Sequence, residues 1–131
     1  MAHDPDTIGP DLLTFLTERH VATLTTLRPD GTPHVVPVGF TYDPETHLAR
    51  VITSNGSVKV HNVRAGHRRV AICQVDGRRW VTLEGTASVR HAAEAVADAE
   101  ERYAHRYRRP RENPERVVLE ISVDRVSGHT R

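Results

Sequence analysis

Residues 68–90 read RRVAICQVDGRRWVTLEGTASVR, and this stretch decides the fold. Asp76-Gly77 separates two apolar-rich runs and is the chemistry of a two-residue hairpin turn, whose central positions need the positive φ that these residues tolerate. Beyond the turn, residues 79–90 alternate. Val81, Leu83, Gly85, Ala87 and Val89 fall on one face, and Trp80, Thr82, Glu84, Thr86 and Ser88 on the other. A period of two with one apolar and one polar face is an antiparallel strand packed on a core from one side.

Working outward, the segment before this hairpin, 57–65, changes to helical spacing, with Asn55 or Ser57 available as cap and Gly66 as stop. Residues 48–54 form a strand that ends at Ser54-Asn55-Gly56. Residues 33–42 form another, with His34, Val36, Val38 and Phe40 on one face and Val35, Pro37, Gly39 and Thr41 on the other. It pairs through the turn Pro29-Asp30-Gly31 with a strand over 21–27. A helix over 8–19, with Pro10 in its first turn and Leu12, Leu13, Phe15 and Leu16 as its stripe, covers one end. Downstream, 92–107 is a helix with acids first and bases last, as its dipole favours, and 116–126 is a closing strand. The expected fold is mainly β, a six-stranded antiparallel barrel, closed or nearly so, with a few short helices, in one domain spanning 1–131.

Charged residues make up 27% of the 131, and no apolar run approaches the roughly 20 residues of a membrane helix, so no membrane partner is expected. The first six residues are polar and lack the pattern of a secretory signal. The lone Cys73 lies in the apolar run 70–73 and is expected to be buried, which suits a reducing cytoplasm. Of 18 cationic side chains only Lys59 is lysine, a hint that a compact, flexible ammonium is wanted there.

Nucleophilic catalysis finds no support, because no serine sits in a Gly-x-Ser-x-Gly turn. The nine histidines have no metal-ligand spacing, and neither a P-loop nor a Rossmann glycine pattern occurs. No catalytic side chain and no metal site is therefore expected. The stretch Thr53-Ser54-Asn55-Gly56-Ser57-Val58-Lys59 reads either as an ordinary capped turn or as a phosphate-sized anion site, with backbone amides, hydroxyls and an ammonium converging where a strand ends. Pro37 cannot donate to a ladder and implies an edge or bulge, where a flat ring could lie. Gly39 would let it approach the backbone. The cluster Arg102, His105, Arg106, Arg108, Arg109 and Arg111 reads as the usual cations of a helix C-terminus or as a site for carboxylates. A nucleic-acid groove is disfavoured by a net charge of only +1.

The ordered set His34-Val35-Val36-Pro37-Val38-Gly39-Phe40, Arg50-Val51-Ile52-Thr53-Ser54, Ser57-Val58-Lys59-Val60-His61-Asn62 and Trp80-Val81-Thr82-Leu83-Glu84-Gly85 resembles the pyridoxamine-phosphate-oxidase-like split β-barrels over nearly the whole chain. Within them it is similar to the actinobacterial branch that uses the deazaflavin coenzyme F-420. The stretches Ser57-Val58-Lys59, 74–80 and 102–107 resemble the biliverdin-reducing members of that branch.

The resemblance implies a cofactor site comprising Val36, Pro37, Val38, Gly39, Thr53, Ser57, Val58, Lys59, Asn62, Gln74 and Trp80. In it Lys59 and Ser57 meet the phosphate, Pro37, Val38, Gly39 and Thr53 line the ring, and Gln74 and Trp80 approach from a partner subunit or the barrel floor. It also implies a homodimer with cofactor at the interface, and hydride transfer to a tetrapyrrole, biliverdin, whose propionates Arg79 and Arg106 are expected to hold. FMN is the less expected cofactor, since His34 and Gly39 stand where FMN-using relatives tend to place cations.

Overall fold

The computed structural model describes residues 2–131, with the backbone alone for Ala2 and His3. Its strands are β1 (Ala2–His3), β2 (Ala22–Leu27), β3 (Pro33–Val38), β4 (Thr41–Asp43), β5 (Leu48–Ser54), β6 (Arg69–Asp76), β7 (Arg79–Arg90) and β8 (Arg116–His129). Its helices are α1 (Pro10–Phe15), α2 (Val58–Arg64) and α3 (Ala93–Arg106), preceded by a short 3-10 turn at Pro5–Thr7. The strands form one antiparallel sheet in the order β3-β2-β6-β7-β8-β5-β4, with β1 added to β8.

The hairpin β6–β7 closes one residue later than expected: Asp76 pairs with Arg79, so the central positions are Gly77, at φ 63°, and Arg78. Every second residue of β7 from Val81 to Ala87 is buried. Val70, Ile72 and Gln74 of β6 point the same way, which turns Cys73 to the outer face, partly exposed rather than buried. A bulge interrupts β7–β8: Glu84 pairs with Arg125 but Gly85 with Val123, so Asp124 is the extra residue. The extra residue shifts the inward phase of β8 from Val123 to Val126. The backbones come so close there that a Cβ on Gly85 would lie 2.1 Å from the Ser122 carbonyl oxygen.

The single strand expected over 33–42 is two strands, and this changes the architecture. β3 pairs with β2 and β4 with β5, at opposite ends of the strand order. Gly39 and Phe40 carry the chain from one edge to the other with no ladder between the edges, so the sheet is not closed. The split, together with β1, makes eight strands of the expected six.

Side chains take over where the ladder stops. The Tyr107 hydroxyl accepts the Phe40 N–H at 3.1 Å and lies 3.0 Å from both the Phe40 and His20 carbonyl oxygens. Arg106 donates to the Phe40 carbonyl at 2.6 Å, to the Glu18 carbonyl through both Nε and Nη2, and to Gln74 Oε1. Holding the Glu18 carbonyl fits the early end of α1: the helix expected to reach residue 19 stops at Phe15 and continues as turns through Thr17 and Glu18. Leu12, Phe15 and Leu16 still enter the core, beside Leu24, Phe40, Ile72, Leu83, Leu119 and Ile121.

Candidate active site

The open seam exposes a groove of about 470 Å³. The end of β3 supplies Pro37, Val38 and Gly39, β5 supplies Ile52, and α2 supplies Lys59. Tyr103 from α3, Arg108, Arg109, Pro110 and Arg111 beyond it, and Arg116 at the start of β8 complete the lining. Pro37 stands on an edge strand, where its missing N–H leaves no broken ladder. A Cβ on Gly39 would meet the ring of Tyr103 at 3.0 Å and that of Tyr107 at 3.2 Å, so the bare backbone here is what admits α3.

Five cations and no carboxylate line this groove. Arg116 is neutralised by Glu100 at 2.7 Å. Lys59, Arg108, Arg109 and Arg111 have no acidic partner or hydrogen-bond acceptor among the described residues. Partial burial of Lys59 pushes its ammonium below the usual lysine range. A partly desolvated ammonium without a counter-charge is stabilised by a bound anion. Concave walls of one sign concentrate anions of the other.

The expected cofactor residues separate into groups. Pro37, Val38, Gly39 and Lys59 meet in the groove. Thr53 and Ser57 lie at its strand–helix junction, where Thr53 Oγ1 and Ser57 Oγ are 3.3 Å apart and Ser57 caps no backbone amide. Val58, beside Lys59, is exposed, and Val36 packs against the core. Asn62 is buried with its amide donating to Thr26 Oγ1 at 2.9 Å. Gln74 is fully buried, donating to the Phe15 carbonyl at 3.0 Å and accepting from Arg106. Trp80 lies three strands from β3, edge-on to His129 and outside the lining.

The two arginines expected at substrate carboxylates are occupied by the fold itself. Four hydrogen bonds hold Arg106 to Glu18, Phe40 and Gln74. Arg79 donates to Glu18 at 3.0 Å and to Asp76, with its guanidinium 4.5 Å above the Phe15 ring. Glu18, His20 and Asp76 come within ligand distance of one another. Arg79 supplies the counter-cation there, and its hydrogen bond, followed by that of His20, holds the Glu18 carboxyl below its ordinary range. Ile52, Tyr103 and Arg116 line the groove without having been expected there, and Arg108, Arg109 and Arg111 join it from the basic cluster for which a carboxylate site was one reading. The basic run through 102–111 was the available signal, read in preference as helix-end cations.

A family model described as Pyridoxamine 5'-phosphate oxidase matches residues 8–130. The chain is 55% identical over 129 residues to the F-420H(2)-dependent biliverdin reductase of Mycobacterium tuberculosis (strain CDC 1551 / Oshkosh), covering 98% of this chain and 93% of that protein. Among solved structures it is similar to a conserved hypothetical protein of Mycobacterium tuberculosis, with TM-score 0.79, 23% identity, and 93% of this chain and 84% of the other covered. It is also similar to a protein described as F-420 reductase, with TM-score 0.72, 24% identity, and coverage of 87% and 94%. At these identities the structural likeness concerns the fold.

Proposed function

The chain belongs to the pyridoxamine 5'-phosphate oxidase family, and we propose that within it the protein is a coenzyme F-420-dependent oxidoreductase that reduces biliverdin to bilirubin. The observation that carries this reading is the 55% identity, over 98% of the chain, to an F-420H(2)-dependent biliverdin reductase. The groove agrees with it chemically: its unpaired cations suit a phosphate-bearing cofactor and a substrate with two carboxylates.

In this reading Lys59, with the Ser57 hydroxyl beside it, holds the cofactor phosphate. Pro37, Val38 and Gly39 form the ledge for its ring, with Ile52 and Tyr103 as walls that keep water away. Arg109 and Arg111 hold further anionic groups. The chemistry that reduced deazaflavin supplies when bound is a hydride, which biliverdin takes at its central methine carbon together with a proton at a pyrrole nitrogen. Arg106 and Tyr107 act on the ledge from behind, fixing Phe40 and so the path of Gly39. Burial raises the Tyr107 phenol above its ordinary value, so it stays protonated and able to donate.

The reading includes a homodimer of this one-domain chain. The outer face of β3, β2, β6 and β7 presents Val35, Pro37, Thr23, Thr25, Ala71, Cys73, Val75, Trp80 and Thr82 in adjacent registers, with the charges Arg69 and Glu84 at one side. Val35 is 56% and Val75 61% exposed, and a sheet face with exposed apolar side chains and charges confined to one side suits a second copy. No helix among the described residues is long and apolar enough to cross a membrane.

Mixing the purified protein with reduced F-420 and biliverdin tests the function. Bilirubin absorbance is expected to rise as the biliverdin band falls, and absence of turnover at saturating cofactor and biliverdin overturns the reading. Sedimentation or light scattering at micromolar concentration is expected to give twice the chain mass.

A further inference from the structure

A second cleft adjoins the groove. It measures about 300 Å³ and is lined by Arg19, His20, Val21, Tyr103, Tyr107 and Arg108. Tyr103 and Arg108 belong to both. The two tyrosine rings lie 4.8 Å apart, tilted by 38°, and the Tyr107 hydroxyl is anchored to Phe40, so its ring orientation is fixed. No carboxylate lines this cleft. The nearest acid, Glu18, is engaged by Arg79 and by His20, at 3.0 and 3.1 Å.

The arginines of the chain sort by what they touch. Arg50, Arg69, Arg79, Arg90, Arg102 and Arg116 face acids. Arg28, Arg64, Arg68 and Arg106 donate to backbone carbonyls. Arg19 and Arg108 are exposed, have no acceptor among the described residues, and lie on one aromatic-walled cleft that shares Tyr103 and Arg108 with the cofactor groove. Hydride transfer requires donor and acceptor to share a boundary, and Tyr103 with Arg108 is that boundary.

We propose that this cleft is the acceptor site, in which Arg19 and Arg108 hold the two propionate carboxylates of a linear tetrapyrrole while Tyr103 and Tyr107 together line one side of its conjugated plane. The inference rests on the proposed reduction of biliverdin and names the specificity residues for it. A planar conjugated dicarboxylate uses each feature: paired guanidinium groups for the carboxylates and aromatic faces for the π-system. Neutral planar molecules lose half of that recognition.

The experiment compares biliverdin with its dimethyl ester, which keeps the conjugated plane and removes both charges. Each is titrated by visible absorbance into the cofactor-free wild type, Arg19→Gln and Arg108→Gln, with melting temperature as a check on folding. Both substitutions are at exposed positions, so the melting temperature is expected to stay unchanged. Arg19→Gln is expected to weaken biliverdin binding about tenfold, the scale of one charge-assisted pair, and to raise KM for biliverdin alike. It should leave F-420 affinity and ester binding unaltered. Arg108→Gln is expected to weaken both biliverdin and F-420. If Arg19→Gln binds biliverdin within twofold of wild type, or if diacid and ester respond alike, the assignment is overturned. Failure of the wild type to reduce biliverdin would instead sink the functional reading, and the titrations would still decide whether these arginines grip carboxylates.

Discussion

The wall formed by β6, β7 and β8 and the seam between β3 and β4 are built on opposite principles. In the wall, continuous antiparallel ladders satisfy the backbone, and cations such as Arg69, on Asp124 at 2.5 Å, and Arg90, on Glu120 at 3.3 Å, meet acids. At the seam no ladder exists, side chains of α3 replace it, and the nearby cations Lys59, Arg108, Arg109 and Arg111 stay unpaired. The wall spends its polar groups on itself. The seam keeps groups in reserve, and reserve polarity is what a binding site consists of.

The contrast can be broken most forcefully in the wall. Gly85→Ala drives a methyl group into the Ser122 carbonyl at the bulge and is expected to remove at least about 3 kcal/mol of stability in urea denaturation. A loss below about 1 kcal/mol would mean the two strands can separate freely there. At the seam, Arg106→Met strands the Glu18 and Phe40 carbonyls and Gln74 Oε1, with an expected loss of about 2–3 kcal/mol. Because Phe40 follows the ledge of the groove, F-420 affinity should fall as well, whereas Gly85→Ala should spare it in the folded fraction.

Lys59→Ala sharpens the comparison from the other side. It is expected to weaken F-420 binding by about 1.5–3 kcal/mol in a calorimetric titration while leaving stability in place, since no protein group loses a partner. The smallest effect is the surface pair in the wall. The hydrogen bond from Arg69 holds the Asp124 carboxyl below its ordinary 3.8, so its contribution is present above that value and lost as pH falls through the lower folded one. Wild type and Asp124→Asn should therefore show a constant difference between pH 7 and 5, under about 1 kcal/mol, that begins to shrink near pH 4 and is lost as pH falls through the lower folded value.

These two regions also mark what could be read from residues alone. The β6–β7 hairpin was legible because its causes are local: Gly77 supplies the turn, one residue later than Asp76-Gly77 suggested, and the alternation of 79–90 makes the face. The break at Gly39 was not, because Phe40 keeps the inward parity of His34, Val36 and Val38 while changing partner strand. Alternation reports faces and is silent about neighbours. Lys59 stood out as the only lysine, and Pro37 as a proline in a strand, so the middle of the groove was visible. Its arginines were not separable by type. Whether a guanidinium is spent or free depends on acceptors brought in by the fold, and Arg106 meets a carbonyl 88 residues earlier.

The strand switch at Gly39 and Phe40 also sets an order of assembly. The β2–β3 and β4–β5 hairpins can form from neighbouring sequence, but the Phe40 amide waits for a hydroxyl 67 residues downstream. On a chain made from its N-terminus, residues 18, 40 and 74 are all synthesised before Arg106 and Tyr107 exist to join them. The sheet can grow from both edges in the meantime, and α3 latches it afterwards, so the binding groove is completed among the last events of folding.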